Sequence, residues 1–198
     1  MTKFDTQSVN DLIRNRRSIY PAQYTDEPVD DAIIKEMLEN ANWAPTHKLT
    51  EPWRFMVFKG EGLKKLGEFQ SNLYKEVSTR NGNFNEATFE KLATKPLTAS
   101  HVIAIGMKRD ERGFVPEVEE VAAVSMAVQN MYLTATAYGV GCYWGTGGVT
   151  FYPEAKSFFG LGENDKFLGF LFVGNVKEGF APQGRRNPIE DKVSWVEK

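Results

Sequence analysis

The sequence has a single cysteine, Cys142, and only two histidines, His47 and His101, among its 198 residues. One cysteine makes no disulfide within the chain, and one thiol with two distant imidazoles forms no recognisable zinc framework. A lone cysteine fits a reducing compartment, with the default role of a small buried hydrophobe. There is no excess of cationic charge. Lysine and arginine number 24 against 26 acidic residues, the net charge is −2 and the pI is about 5.8. The cations are also scattered, so no basic field points to nucleic acid or an acidic membrane surface. The N-terminal MTKFDTQSVNDLIRN has no apolar core of a secretory signal, which predicts a cytoplasmic chain. No repeat, low-complexity segment or linker breaks the sequence, and the length predicts one domain over residues 1–198. A nucleophile elbow and a P-loop are both missing. Gly139-x-Gly141 lacks the third glycine and the strand-before-helix context of a dinucleotide fingerprint.

What the chain does have is a long apolar stretch, Glu117 to Gly148. Pro116 fits a first-turn position, and Glu117, Glu119 and Glu120 suit the positive end of a helix dipole. From Val121 to Tyr138 nearly every side is apolar or small, which predicts a buried helix. It is too interrupted, and too acidic at its entrance, for a membrane span. Gly139 takes the place of a C-cap glycine. Val140 to Trp144 reads as a short strand, and Gly145-Thr146-Gly147-Gly148 as a loop with little side chain. On its own the stretch is a core helix followed by a tight turn. The same arrangement could present a surface to a flat ligand.

Along the rest of the chain, the spacing predicts amphipathic helices over Thr6–Asn15, Pro28–Asn42 and Glu61–Ser78, and a short one over Glu86–Thr94. Pro153–Phe159 reads as a small helix. Trp53–Phe58, His101–Met107 and Phe167–Val173 read as strands, the last fully apolar and therefore central in its sheet. The first helix runs into Arg14-Asn15-Arg16-Arg17-Ser18. Three arginines beside a hydroxyl fit a solvated helix end, favoured by the dipole. They could also form a phosphate clamp, since guanidinium forks match phosphate oxygens, although charge alone favours the solvated end. Trp43 either covers a ligand or closes the core. His47 reads as a loop histidine bonded to nearby backbone, and His101 as structural. Phe84 and Phe89 fit a lid or the core.

Several motifs occur in order: RRS after the first helix, the A-P-T-H-K loop from Ala44 that ends in P-W-R-F, and W-G-T-G-G from Trp144 after the long buried helix. In this order and spacing the chain resembles the nitroreductase family of FMN-dependent NAD(P)H oxidoreductases, from Leu12 to about Trp195. The resemblance is to the subgroup whose loop reads A-P-x-H-K-x-x-x-P-W-R-F. It implies an α+β fold with a mainly antiparallel, mixed central sheet between layers of helices, in an intertwined homodimer with FMN at the subunit interface. It implies an enzyme in which NAD(P)H reduces FMN and the electrons pass to a nitroaromatic, quinone or related acceptor by a ping-pong mechanism. Related flavoenzymes of the same fold carry out other reactions (dehydrogenation, dehalogenation, flavin fragmentation), and a non-catalytic flavin-binding module is a further alternative.

By the resemblance, Arg16, Arg17 and Ser18 hold the ribityl and phosphate end of FMN, helped by Arg185 or Arg186. Trp144, Gly145 and Thr146 line the isoalloxazine ring, and Trp43 stands near it. Thr46 and His47 reach the flavin of the partner subunit. No catalytic side chain and no metal are implied, since the flavin carries the chemistry. The tail, ending in a strand-like VSWV, embraces the partner. Three positions depart from common family patterns: Tyr20 stands where a cation is usual, Leu49 where an asparagine is, and Glu51 where a glutamine is.

Overall fold

The computed structural model describes residues 3–197. Helix α1 (Thr6–Asn15) starts at Asp5, whose carboxylate accepts from the Ser8 N–H at 3.0 Å. Helix α2 spans Asp31–Asn42 and begins later than the apolar pattern suggests. The Asp30 carboxylate caps the Ala32 N–H at 2.8 Å, while the Val29 N–H is drawn to the Ser100 Oγ at 2.7 Å. Strand β1 (Trp53–Lys59) leads into α3 (Glu61–Arg80) and α4 (Glu86–Thr94). Then come β2 (His101–Met107), α5 (Glu117–Ala137), β3 (Val140–Gly145) and β4 (Lys166–Asn175). Pro116 takes the N-cap position of α5, outside its first turn.

The sheet order is β1-β2-β4-β3, so β4 is interior, as its apolar run requires. Every described pairing is antiparallel. The expected mixed character therefore has no counterpart among the described residues, and a parallel pairing would need a strand from elsewhere. Alternation in β2 and β4 sends side chains to two cores. Ile103, Ile105, Leu171 and Val173 meet Met37 of α2 and Val124, Val128 and Met131 of α5. Val102, Ala104, Phe170 and Phe172 meet Leu63, Leu66 and Leu73 of α3 on the other face. The result is three layers, helices on both sides of one sheet.

Two features of α5 differ from a helix buried all round. Glu120 is 1% exposed, where an acidic first turn would be solvated. It accepts from the Arg109 guanidinium and from the Asp110 N–H at 2.8 Å, which satisfies the buried carboxylate. Val118, Ala122 and Met126, four residues apart, also form an apolar stripe open to solvent.

The two sheet edges differ. Beside β3, the Ile19 N–H donates to the Cys142 carbonyl at 2.8 Å, and Tyr24 bridges to Val176. The Tyr24 ring fills the space above Gly174, where a Cβ would stand 2.4 Å from it, and its hydroxyl donates to the Ile19 carbonyl at 2.7 Å. Segment 19–24 is thereby locked to the β3 edge. No described strand pairs with the outer edge of β1. The tail residues Val193, Trp195 and Val196 are exposed and join no described strand. No described helix is long and apolar enough to cross a membrane.

Candidate functional site

The locked segment places RRS at the end of α1 against β3. Arg16 is the C-cap residue, and its guanidinium lies over the Tyr132 ring, 5.2 Å from the centre. Arg17 donates to the carbonyls of Arg14 and Arg16, the latter at 2.8 Å, and so satisfies the open end of the helix. Its Nε is buried with no partner among the described residues. Gly184 of the tail packs on this guanidinium so closely that a Cβ there would overlap it.

A cleft of about 640 Å³ is lined by Arg14, Arg16, Arg17 and Arg186, with Ile13, Asn15, Gln129 and Gly184 between them. None of its lining residues is acidic. Four guanidinium groups without a counter-ion make a strongly positive cavity, matched to a dianion. Of the two tail arginines, Arg186 lines the cleft and Arg185 does not.

From this cleft a contact chain leads to the β3 end. Ser18 Oγ lies 3.5 Å from the Tyr132 hydroxyl, which accepts from the Trp144 N–H at 2.7 Å. Burial raises the Tyr132 pKa, so its hydroxyl stays neutral. The Trp144 indole donates to the Leu168 carbonyl at 2.8 Å. Leu168 is the extra residue of a bulge in β4, between the Ile105–Gly169 and Gly106–Phe167 pairs. The bulge thus releases the carbonyl that fixes the indole. Gly145 is buried, and Thr146 beyond it is exposed. Gly169, at φ 106°, allows the close approach: a Cβ there would stand 2.4 Å from the Gly145 oxygen. Tyr132 carries this linkage, yet in the sequence it is one more apolar position of a core helix. Burial pushes the Cys142 thiol well above its ordinary pKa, so it takes no part.

Trp43, Thr46 and His47 lie elsewhere. Trp43 is 77% exposed, with its indole N–H donating to the Glu39 carboxylate at 3.1 Å, so it closes no core. His47 Nδ1 pairs with Glu119 at 2.6 Å, a long-range contact in place of the expected local one. Glu119 and Tyr132 are 13 positions apart on α5, about 20 Å of helix axis. Within one chain, therefore, the loop and the arginine cleft stand at opposite ends of α5. The loop itself is strained: Lys48, Leu49 and Glu51 all have positive φ, at 53°, 53° and 44°.

The sequence model of the Nitroreductase family matches residues 13–175, stopping short of the tail that carries Arg185 and Arg186. A Bacillus subtilis protein named "Putative NAD(P)H nitroreductase YfhC" is 33% identical over 191 residues, covering 94% of this chain and 93% of that one. The crystal structure of a nitroreductase-like family protein from Bacillus cereus superposes with a TM-score of 0.81 at 31% identity, over the full length of both chains. The FMN-dependent nitroreductase NfnB of Mycobacterium smegmatis, solved with NADPH, shares the fold at a TM-score of 0.74 and 17% identity, covering 96% of this chain and 99% of that one. In sequence and in fold, this chain belongs to the nitroreductase family.

Proposed function

We propose that this protein is an FMN-dependent oxidoreductase that uses NAD(P)H to reduce a nitroaromatic, quinone or related acceptor. The observation that carries the reading is the four-arginine cleft without a carboxylate, joined through Arg16, Tyr132 and Trp144 to the end of β3. Arg16, Arg17, Ser18 and Arg186 would hold the phosphate dianion, and the unpaired Arg17 Nε is a donor available to it. Trp144, Gly145 and Thr146 would line the flat ring, with Tyr132 and the Leu168 bulge fixing the Trp144 backbone and indole. Bound FMN supplies the hydride chemistry, so the side chains have only to bind, orient and exclude water. Donor and acceptor would use one open face in turn, and protons would come from water.

The working unit in this reading is a homodimer in which Thr46 and His47 of one subunit complete the site of the other. Their distance from the arginine cleft within one chain supports it, as does the exposed stripe of Val118, Ala122 and Met126. The open β1 edge and the unpaired tail Val193–Val196 would add strand pairing between subunits. A single domain in a reducing, cytoplasmic setting fits the buried unpaired Cys142. Initial-rate kinetics with NADPH and a quinone test the reading. Parallel double-reciprocal lines are expected, whereas no FMN-dependent NAD(P)H oxidation overturns it.

A further inference from the structure

We infer that Glu119 is a positioning residue of this site. Its carboxylate holds the His47 ring in one tautomer and one orientation, with the proton on Nδ1 and Nε2 left as an acceptor. The inference rests on the reading above, in which His47 completes the flavin site of the partner subunit. His47 Nδ1 lies 2.6 Å from the Glu119 carboxylate, across 72 positions of sequence. An ionised carboxylate only accepts hydrogen bonds, so the proton of the neutral imidazole sits on Nδ1. Nε2 bonds no described residue, and the side chain is half-exposed. It is therefore an acceptor left open for a hydroxyl or N–H of a ligand. A phosphate oxygen has no proton to offer it, and the arginine cleft already takes that charge.

Glu119 is firmly placed for this task. It lies in the first turn of α5, and its N–H donates to the Pro116 carbonyl at 3.0 Å. Its acidic neighbours are engaged elsewhere, Glu117 with Lys166 at 3.3 Å and the buried Glu120 with Arg109. Glu120 anchors the turn from inside, and Glu119 is left to meet the loop. An exposed pair of this kind adds little stability, so what it offers is a fixed ring.

The loop backbone has its own restraints. Thr46 Oγ1 lies 3.0 Å from Thr50 Oγ1 and accepts the Glu51 N–H at 3.3 Å. The Lys48 ammonium lies 5.4 Å from the centre of the Phe114 ring. These contacts hold the three left-handed residues in place. Among the described residues, the bond that acts on the His47 ring itself comes from Glu119.

The chain has two histidines, so nitrogen NMR of protein labelled at histidine reads both rings directly. Spectra are recorded without FMN at about pH 8.5, above the ordinary imidazole range. H47A assigns the signals. His47 should be the Nδ1–H tautomer in wild type and shift in E119A to the Nε2–H form, which a free imidazole prefers. His101, with Nε2 3.1 Å from Asp31, should be unchanged in E119A. FMN titration then tests the role. E119A and H47A should each weaken FMN binding roughly three- to tenfold, the worth of one hydrogen bond. The double variant should lose no more than H47A alone, because Glu119 acts only through the ring. Three results overturn the Glu119 assignment and leave the cofactor reading standing: a wild-type His47 protonated on Nε2, unchanged FMN affinity in E119A, or additive losses in the double variant. A wild-type protein that takes up no FMN overturns both.

Discussion

The Tyr132 hydroxyl accepts the Trp144 N–H at 2.7 Å while the Tyr132 ring lies under the Arg16 guanidinium. One side chain of α5 therefore ties the end of α1 to the end of β3. Tyr132→Phe keeps the ring and removes the acceptor, leaving the Trp144 N–H unpaired. Urea unfolding should show a loss of about 1–3 kcal/mol, the cost of orphaning a buried donor. Unchanged stability would mean that water replaces the hydroxyl and that the linkage is dispensable.

The two tail arginines should separate cleanly. Arg186 lines the cleft with Arg16, and Arg185 does not. Arg16→Ala and Arg186→Ala each remove a charge-assisted contact of about 1.5–3 kcal/mol, or roughly 10–100-fold in FMN affinity. Arg185→Ala should leave the affinity near wild type. Flavin-fluorescence titration of the three variants decides it, and equal losses at positions 185 and 186 would refute the assignment.

Leu49 has φ 53° and is 81% exposed, so its strain is not offset by burial. A left-handed non-glycine residue costs about 1–3 kcal/mol, and glycine in its place returns part of this as chain entropy, about 0.5–1 kcal/mol. Leu49→Gly should therefore stabilise the protein by about 1 kcal/mol, a rise of about 2–4 °C in Tm for a chain this size. A lower Tm by calorimetry would show that Leu49 is buried in solution, as a contact between subunits would make it.

His101 gives the stability a pH dependence. It is 3% exposed, with Nε2 3.1 Å from Asp31 and Nδ1 2.9 Å from the Ser100 Oγ. Because Ser100 Oγ already accepts the Val29 N–H, its own hydrogen goes to Nδ1 and the imidazole proton sits on Nε2. Burial pushes the His101 pKa below its ordinary 6.5, outweighing the pull of Asp31. The Asp31 carboxyl is itself held low, first by Lys59 and then by His101, so at neutral pH the pair is a hydrogen bond from a neutral ring to a carboxylate. The unfolded chain takes up the proton first as pH falls through about 6.5, so this stability is present above that pH and lost below it. The urea midpoint should drop from pH 7.5 to 5.5, and His101→Gln should flatten that drop. An identical slope in the variant would assign the effect to other groups.

Much of the fold was readable because local signals and tertiary placement agree. Helices α1 and α4 and strand β2 fall on the residues that capping and periodicity indicate. The start of α2 was not readable, since Val29 continues the apolar pattern but spends its N–H on Ser100, a residue distant in sequence. At the site, the arginines and the W-G-T-G-G turn stood out as unusual local compositions. Tyr132 did not, because an aromatic residue on a core helix looks the same whether its hydroxyl is idle or binds a strand. Glu120 looked like a solvated dipole partner until Arg109 covered it.

The central claim is best tested by the visible spectrum of the purified protein, supplied with FMN and kept anaerobic, before and after NADPH and then a quinone. The account predicts a yellow protein that bleaches with NADPH and regains its colour with the quinone. A protein that stays colourless after reconstitution with FMN would contradict it.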